Sequence, residues 1–90
     1  MGRASRERPQ KLAEKLLRIR LHLGLSQNEM LAALGLKEKV FRSAVSGYEL
    51  GTREPSLLII LKYARLADIS VETLIDDELD LPKRFNAAYP

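Results

Sequence analysis

The sequence contains no cysteine, no tryptophan and a single histidine, His22, among its 90 residues. Without cysteine there is no disulfide bond, no thiolate metal ligand and no thiol nucleophile. The longest apolar run, residues 57–61, is far shorter than the roughly 20 residues of a membrane-spanning helix, and the charged N-terminus lacks the apolar segment of a signal peptide. No catalytic or metal-binding pattern surrounds His22. We therefore expect a cytoplasmic protein that is not an enzyme and that binds no metal or cofactor.

Positive charge is in only slight excess, with 15 Lys and Arg against 12 Asp and Glu, but the charged residues are unevenly distributed along the chain. Basic residues dominate residues 3–20, whereas residues 68–80 are acidic. One end could face phosphate groups while the other faces away, or both could simply be solvated surfaces. Residues 3–20 include Arg3, Arg6, Arg8, Lys11 and Lys15, which could attract DNA nonspecifically or only keep this segment soluble.

A length of 90 residues suffices for one compact domain but not for two. Hydrophobic residues make up 46% of the sequence, enough to bury a modest core. Apolar residues spaced by three and four positions predict helix 1, which has Pro9 in its first turn and ends at Gly24. Its apolar face comprises Leu12, Leu16, Ile19 and Leu23. The sequence of Ser26 to Glu29 has the form of a capping box, which predicts the start of a helix 2 that stops at Gly35.

Helix 3 is predicted over residues 41–50, with Val45 and Tyr48 turned inward, Phe41 as a further candidate for the inward face, and Gly51 at its end. Ser56 and Ser70 are predicted to cap helices 4 and 5. The expected apolar face of helix 4 comprises Leu57, Ile60, Leu61, Ala64 and Ala67.

No alternation typical of a strand is present, so the predicted fold class is all-α, a compact bundle of five helices. The predicted organisation is a basic mobile arm (residues 1–8), one domain (9–76) and an irregular C-terminal tail (77–90). The tail is a possible dimerisation element, because it carries Leu79, Leu81, Phe85 and Tyr89 among its charges.

Four short motifs occur in a fixed order: LGLSQ at residues 23–27, LG at 34–35, SAVSGYELG at 43–51 and REPS at 53–56. In this order they resemble the phage lambda repressor and Cro family, also called Xre-like helix-turn-helix domains, over roughly residues 12–74. The resemblance implies a lambda-repressor-like domain that binds double-stranded DNA as a homodimer. It also implies a sequence-specific transcriptional regulator with helix 3 in the major groove.

The resemblance assigns roles to individual residues. Gln27 and Arg53 match positions that contact DNA phosphates, and Lys37 and Lys39 are further phosphate candidates or ordinary surface lysines. The candidates for base contacts are Arg42, Ser43 and Ser46, of which Arg42 is the strongest because a guanidinium can donate two hydrogen bonds to guanine. Arg20 and Glu49 match a structural ion pair that joins helix 1 to the end of helix 3.

Two features depart from the family pattern. Residues 37–40 look like an insertion before helix 3, and Gly47 stands where a long polar side chain is usual. A glycine cannot read a base, so either something approaches the helix closely there or base reading is shifted elsewhere. An alternative function therefore stays open, in which the domain is a protein-interaction module, such as an antitoxin or an adaptor subunit.

Overall fold

A computed structural model describes residues 7–36 and 41–84, and these residues form five α-helices and no strand. The helices are α1 (Leu12–Leu23), α2 (Gln27–Ala33), α3 (Ala44–Leu50), α4 (Leu57–Ala67) and α5 (Val71–Ile75). The predicted all-α, five-helix fold is confirmed. Most of the predicted N-terminal arm lies outside the described residues. So do four residues for which roles were predicted, namely Lys37, Lys39, Phe85 and Tyr89.

Serine side chains cap the N-termini of three of the helices. The hydroxyl oxygens of Ser26, Ser56 and Ser70 each accept the backbone N–H three residues later, at 3.0, 3.2 and 3.1 Å. The Glu29 carboxylate also accepts the Ser26 N–H at 2.8 Å, which completes the capping box. The three predicted caps are therefore confirmed.

Glycines end α1 and α3. Gly24 and Gly51 have φ angles of 73° and 78°, a left-handed conformation that residues with a Cβ atom rarely adopt. The two predicted helix ends are confirmed, and they fix the directions in which the chain leaves α1 and α3.

The core lies between α1 on one side and α3, α4 and α5 on the other, while α2 packs against α3. Tyr63 of α4 is fully buried, and its ring meets the ring of Tyr48 edge to face at a centroid distance of 6.5 Å. The prediction that Tyr48 belongs to the core is confirmed. Burial of this aromatic pair fixes α3 against α4.

Two predicted apolar positions are exposed. Leu57 is 80% exposed, and the buried face of α4 consists of Ile59, Ile60, Tyr63, Ala64 and Ala67. The prediction holds for Ile60, Ala64 and Ala67 and is wrong at Leu57. Nearly every residue of this helix is apolar, so hydrophobic spacing alone did not show that its first residue faces solvent. Phe41 is 38% exposed, and α3 begins three residues later than predicted, at Ala44. The predicted inward position of Phe41 is therefore wrong.

The segment after α5 and the start of α1 cap each other. The Asp77 carboxylate accepts the backbone N–H groups of Gln10 and Lys11 at 2.8 and 3.0 Å. In return, the buried Lys15 Nζ donates to the carbonyls of Thr73 and Asp76 at 2.7 and 3.0 Å. These bonds hold the Lys15 ammonium against the end of α5.

These contacts also correct the prediction for Pro9, because α1 begins at Leu12 and Pro9 precedes its first turn. Farther along the chain, Leu81 is only 5% exposed and packs into the same core. Contacts of the domain therefore extend past residue 76, into the segment that the sequence placed in the tail.

Candidate nucleic-acid interface

The segment from Ser26 to Gly51 holds two short helices whose first residues face solvent. α2 packs against α3, and its starting residues Ser26, Gln27 and Asn28 are exposed. Arg42 and Ser43, directly before α3, are exposed as well. The start of α2 thus offers the Gln27 amide and those backbone N–H groups of its first turn that the capping box does not use, and the start of α3 offers a guanidinium and a hydroxyl group.

An ion pair joins α1 to the end of α3. The Arg20 Nε donates to Glu49 Oε2 at 2.6 Å, and its Nη2 donates to Glu49 Oε1 at 3.1 Å. The two side chains are only 14% and 5% exposed. The third nitrogen, Nη1, donates to the Leu25 carbonyl at 2.9 Å. This fork of hydrogen bonds fixes the position of α3 relative to α1 and to the turn that leads into α2.

The hydrogen bond with Glu49 raises the pKa of Arg20 above the ordinary arginine value. Desolvation by burial opposes that effect, and attraction to the Glu49 charge adds to it. The guanidinium therefore stays protonated at every pH at which the protein is folded.

Gln27 is held by the same carboxylate. Its amide Nε2 donates to Glu49 Oε1 at 3.1 Å, so the amide nitrogen points toward Glu49. An amide nitrogen carries two hydrogens, and only one of them is used in this bond. The second N–H of Gln27 is available to an acceptor outside the protein, such as a phosphate oxygen.

The three residues expected to contact bases have different surroundings. Arg42 is exposed and lies before the helix, so its side chain is free to extend outward. Ser43 is exposed and occupies the N-cap position of α3, but its hydroxyl makes no side-chain capping bond to this helix. Ser46 is half-buried. Among these three, Arg42 and Ser43 are the more accessible.

The chain after Gly51 folds back onto α3 at Gly47. The backbone N–H groups of Thr52 and Arg53 both donate to the Gly47 carbonyl, at 3.0 and 3.1 Å. A Cβ atom on Gly47 would lie 2.9 Å from the Arg53 Cβ. The glycine therefore allows a close approach of the chain itself, which explains the departure from the family pattern at this position.

Two contacts at this site were not predicted from the sequence. The first is the hydrogen bond from Gln27 to Glu49, which spans 22 positions and therefore leaves no local pattern; the resemblance had paired Glu49 with Arg20 alone. The contact of Arg53 with Gly47 is also new. Its signal was the glycine itself, because a glycine inside a helix costs about 1 kcal/mol relative to alanine and so invites a packing explanation.

Within residues 7–36 and 41–84, no group of His, Asp and Glu side chains is arranged to hold a metal ion. None of the helices described is both long and apolar enough to cross a lipid bilayer.

Comparison with known proteins gives one match. A helix-turn-helix family model matches residues 16–74, which is more than half of the chain and contains α2 and α3. A search of curated proteins and a search of solved structures gave no match. The chain belongs to the Cro/C1-type, Xre-like helix-turn-helix family, whose members are DNA-binding regulators.

Proposed function

We propose that this protein is a sequence-specific transcriptional regulator that inserts α3 into the major groove of double-stranded DNA. The observation that carries the proposal is the network in which Glu49, near the end of α3, holds both Arg20 and Gln27. This network fixes the start of α2 relative to α3. A rigid arrangement of this kind suits a surface that must contact backbone and bases together.

Phosphate contacts are assigned to the start of α2. The free N–H of the Gln27 amide and the unpaired backbone N–H groups at the helix start are donors that suit a phosphate oxygen. The amide is already oriented by Glu49, so little side-chain entropy is lost on binding. Lys37 and Lys39 remain further candidates for phosphate contacts.

Base contacts are assigned to Arg42, Ser43 and Ser46. The Arg42 side chain is exposed at the start of α3, the part of a recognition helix that meets base edges. A guanidinium pairs with guanine O6 and N7, and this pairing discriminates against other bases by about 1 to 3 kcal/mol. The two hydroxyl groups can donate to or accept from several bases, so they add less discrimination.

We also propose that the protein acts as a homodimer. A dimer with two-fold symmetry would place its two α3 helices in successive major grooves, about 34 Å apart. Leu81 is buried within its own domain, so it does not supply the dimer contact. Leu79 is 37% exposed and remains available.

The proposal is tested by measuring affinity for a random-sequence duplex over a series of salt concentrations. Each phosphate contacted by a lysine or arginine contributes about −0.9 to the slope of log affinity against log salt. We expect a steep fall in affinity, and a weak response that does not change with salt would refute DNA binding.

The variant Gln27→Ala refines this test. Loss of one hydrogen bond to a charged phosphate is expected to weaken binding to all sequences about 10- to 150-fold. The slope should stay the same, because glutamine releases no counterion. Asn28→Ala is the matched control, since Asn28 is an exposed amide residue in the same helical turn. Equal effects of the two substitutions would contradict the assignment of Gln27.

A second candidate function is a protein-interaction module, such as an antitoxin or an adaptor subunit. The observation in its favour is a pair of leucines in the first turn of α4, Leu57 and Leu58, which are 80% and 70% exposed. Adjacent exposed leucines are a common feature of surfaces that bind other proteins. The two candidates are separated by the same salt series, because this one predicts no salt-dependent affinity for DNA.

A further inference from the structure

We propose that Arg53 reads a guanine in the major groove, with its side chain lying over Gly47, where α3 presents no side chain of its own. This inference rests on the proposed DNA-binding function. It replaces the phosphate contact expected for Arg53 from the sequence with a contact that determines specificity.

The first observation is the close packing of Arg53 on α3. A Cβ atom at position 47 would lie 2.9 Å from Arg53 Cβ and 3.7 Å from Arg53 Cδ. Two atoms of the Arg53 stem, one near the backbone and one near the guanidinium, thus lie beside the same point of the helix. The Arg53 side chain therefore runs along α3 and occupies the space of the missing side chain.

The second observation is that the backbone holds this arrangement in place. The Gly47 carbonyl accepts the backbone N–H groups of Thr52 and Arg53 at 3.0 and 3.1 Å. The Gly51 N–H also donates to the Tyr48 carbonyl at 3.4 Å, which closes the end of the helix. The Arg53 Cα is therefore fixed, and the start of its side chain has little freedom to move away from α3.

The third observation concerns the face on which Arg53 lies. Ser43, Ser46, Gly47 and Leu50 form one side of α3, at the spacing of three and four residues that marks a helix face. These four residues line a shallow depression together with Thr52 and Arg53. Two of the proposed base-contacting residues, Ser43 and Ser46, thus share a surface with the Arg53 side chain.

The fourth observation concerns the hydrogen bonds and ion pairs of the Arg53 guanidinium within the part of the chain that the structure describes. In residues 7–36 and 41–84 it makes no hydrogen bond and no ion pair, whereas Arg20 pairs with Glu49 and Arg8 pairs with Glu54. Arg53 is exposed. Its planar set of donors therefore remains available for bidentate pairing with guanine O6 and N7.

The chemistry of this pairing gives a sharp test, because glutamine pairs with adenine in the way that arginine pairs with guanine. The probe is a DNA duplex selected for binding to the wild-type protein, together with its single-base variants. Arg53→Gln is expected to change the preferred base at one position from guanine to adenine and to leave the other positions unchanged. The loss of affinity for the original guanine site should be about 5- to 150-fold.

Arg84→Gln is the control, since it removes the same charge from an exposed arginine that does not line the depression beside Gly47. If Arg53→Gln weakens selected and random duplexes equally, Arg53 is a phosphate contact and the inference is wrong. If the wild-type protein shows no salt-dependent binding to any duplex, the proposed function fails, and the inference fails with it.

Gly47→Ala tests the packing independently of the Arg53 chemistry. The added methyl group must displace the Arg53 stem, since 2.9 Å is too close for two carbon atoms. We expect it to reduce discrimination at the same base position, with no further loss when it is combined with Arg53→Gln. Additive effects, or an effect at a different base position, would contradict the inference. The Arg53→Gln result stands alone if Gly47→Ala proves to be unfolded.

Discussion

Replacing Glu49 with alanine removes the carboxylate that joins α1, α2 and α3. The Arg20 Nε and Nη2 would lose their acceptors, while Nη1 would keep its bond to the Leu25 carbonyl. The two side chains are 14% and 5% exposed, so the guanidinium would stay in a site with little access to water. Leaving a buried charge without its partner costs about 3 to 5 kcal/mol, and we expect the free energy of unfolding to fall by that amount.

The assay is equilibrium unfolding in urea. Arg8→Ala serves as the comparison, because it breaks an ion pair with Glu54 whose side chains are 46% and 25% exposed. That change should cost about 0 to 1 kcal/mol. The double variant Arg20→Met with Glu49→Leu should be more stable than Glu49→Ala alone, since it removes both charges and keeps apolar volume.

Two results would contradict this role of the Arg20–Glu49 pair in holding α3. If Glu49→Ala costs no more than Arg8→Ala, burial does not strengthen the pair, and some other contact holds α3 to α1. If the double variant is less stable than Glu49→Ala, the apolar volume does not compensate for the lost charges.

Two further predictions concern a buried hydroxyl and an exposed carboxylate. The Tyr63 hydroxyl is buried and has no hydrogen-bond partner within residues 7–36 and 41–84, and burial raises its pKa far above the ordinary tyrosine value. Tyr63→Phe should therefore leave the unfolding free energy unchanged or raise it by about 1 kcal/mol in urea unfolding, and a clear loss would reveal a missed partner. Hydrogen bonds from two backbone N–H groups at the start of α1 lower the pKa of Asp77, so its contribution to stability is present above the unfolded-state pKa and is lost as pH falls through the folded-state value. Thermal unfolding from about pH 5 to pH 2 should show a smaller acid-dependent loss for Asp77→Asn than for the wild type, and parallel curves would contradict this role.

Local signals in the sequence predicted the ends of the helices well. Ser26, Ser56 and Ser70 were recognised as caps, and Gly24 and Gly51 as terminators, because each acts on a backbone only a few residues away. The Xre-like resemblance, carried by four ordered motifs, predicted the fold and the family. These features could be predicted because their physical causes lie within one helical turn of the residue concerned.

Relations between distant residues could not be predicted in the same way. Asp77 caps α1 from 67 and 66 positions away, and Lys15 looked like a surface cation until the structure placed it against the end of α5. The predicted buried face of α4 was wrong at Leu57, because Lys62 and Arg65 are the only charged residues of this helix and none lies in its first turn to mark the outside there.

Within the candidate interface, the sequence indicated individual residues but not the contacts between them. The sequence indicated Gln27 and Arg42 through the order of the motifs, but not that Glu49 orients the Gln27 amide. The glycine at position 47 indicated that something packs closely against α3, but the sequence did not show what. The cause is the Arg53 stem, which only the fold of the loop after Gly51 brings to that position.

Selection of bound duplexes from a random-sequence pool would show the binding site, its symmetry and its half-site spacing in one experiment. For a two-fold dimer with α3 in the major groove, we expect an enriched sequence with two-fold symmetry and half-sites centred about 10 base pairs apart. A pool that shows no enrichment, under salt conditions at which the protein binds DNA, would contradict sequence-specific recognition by α3.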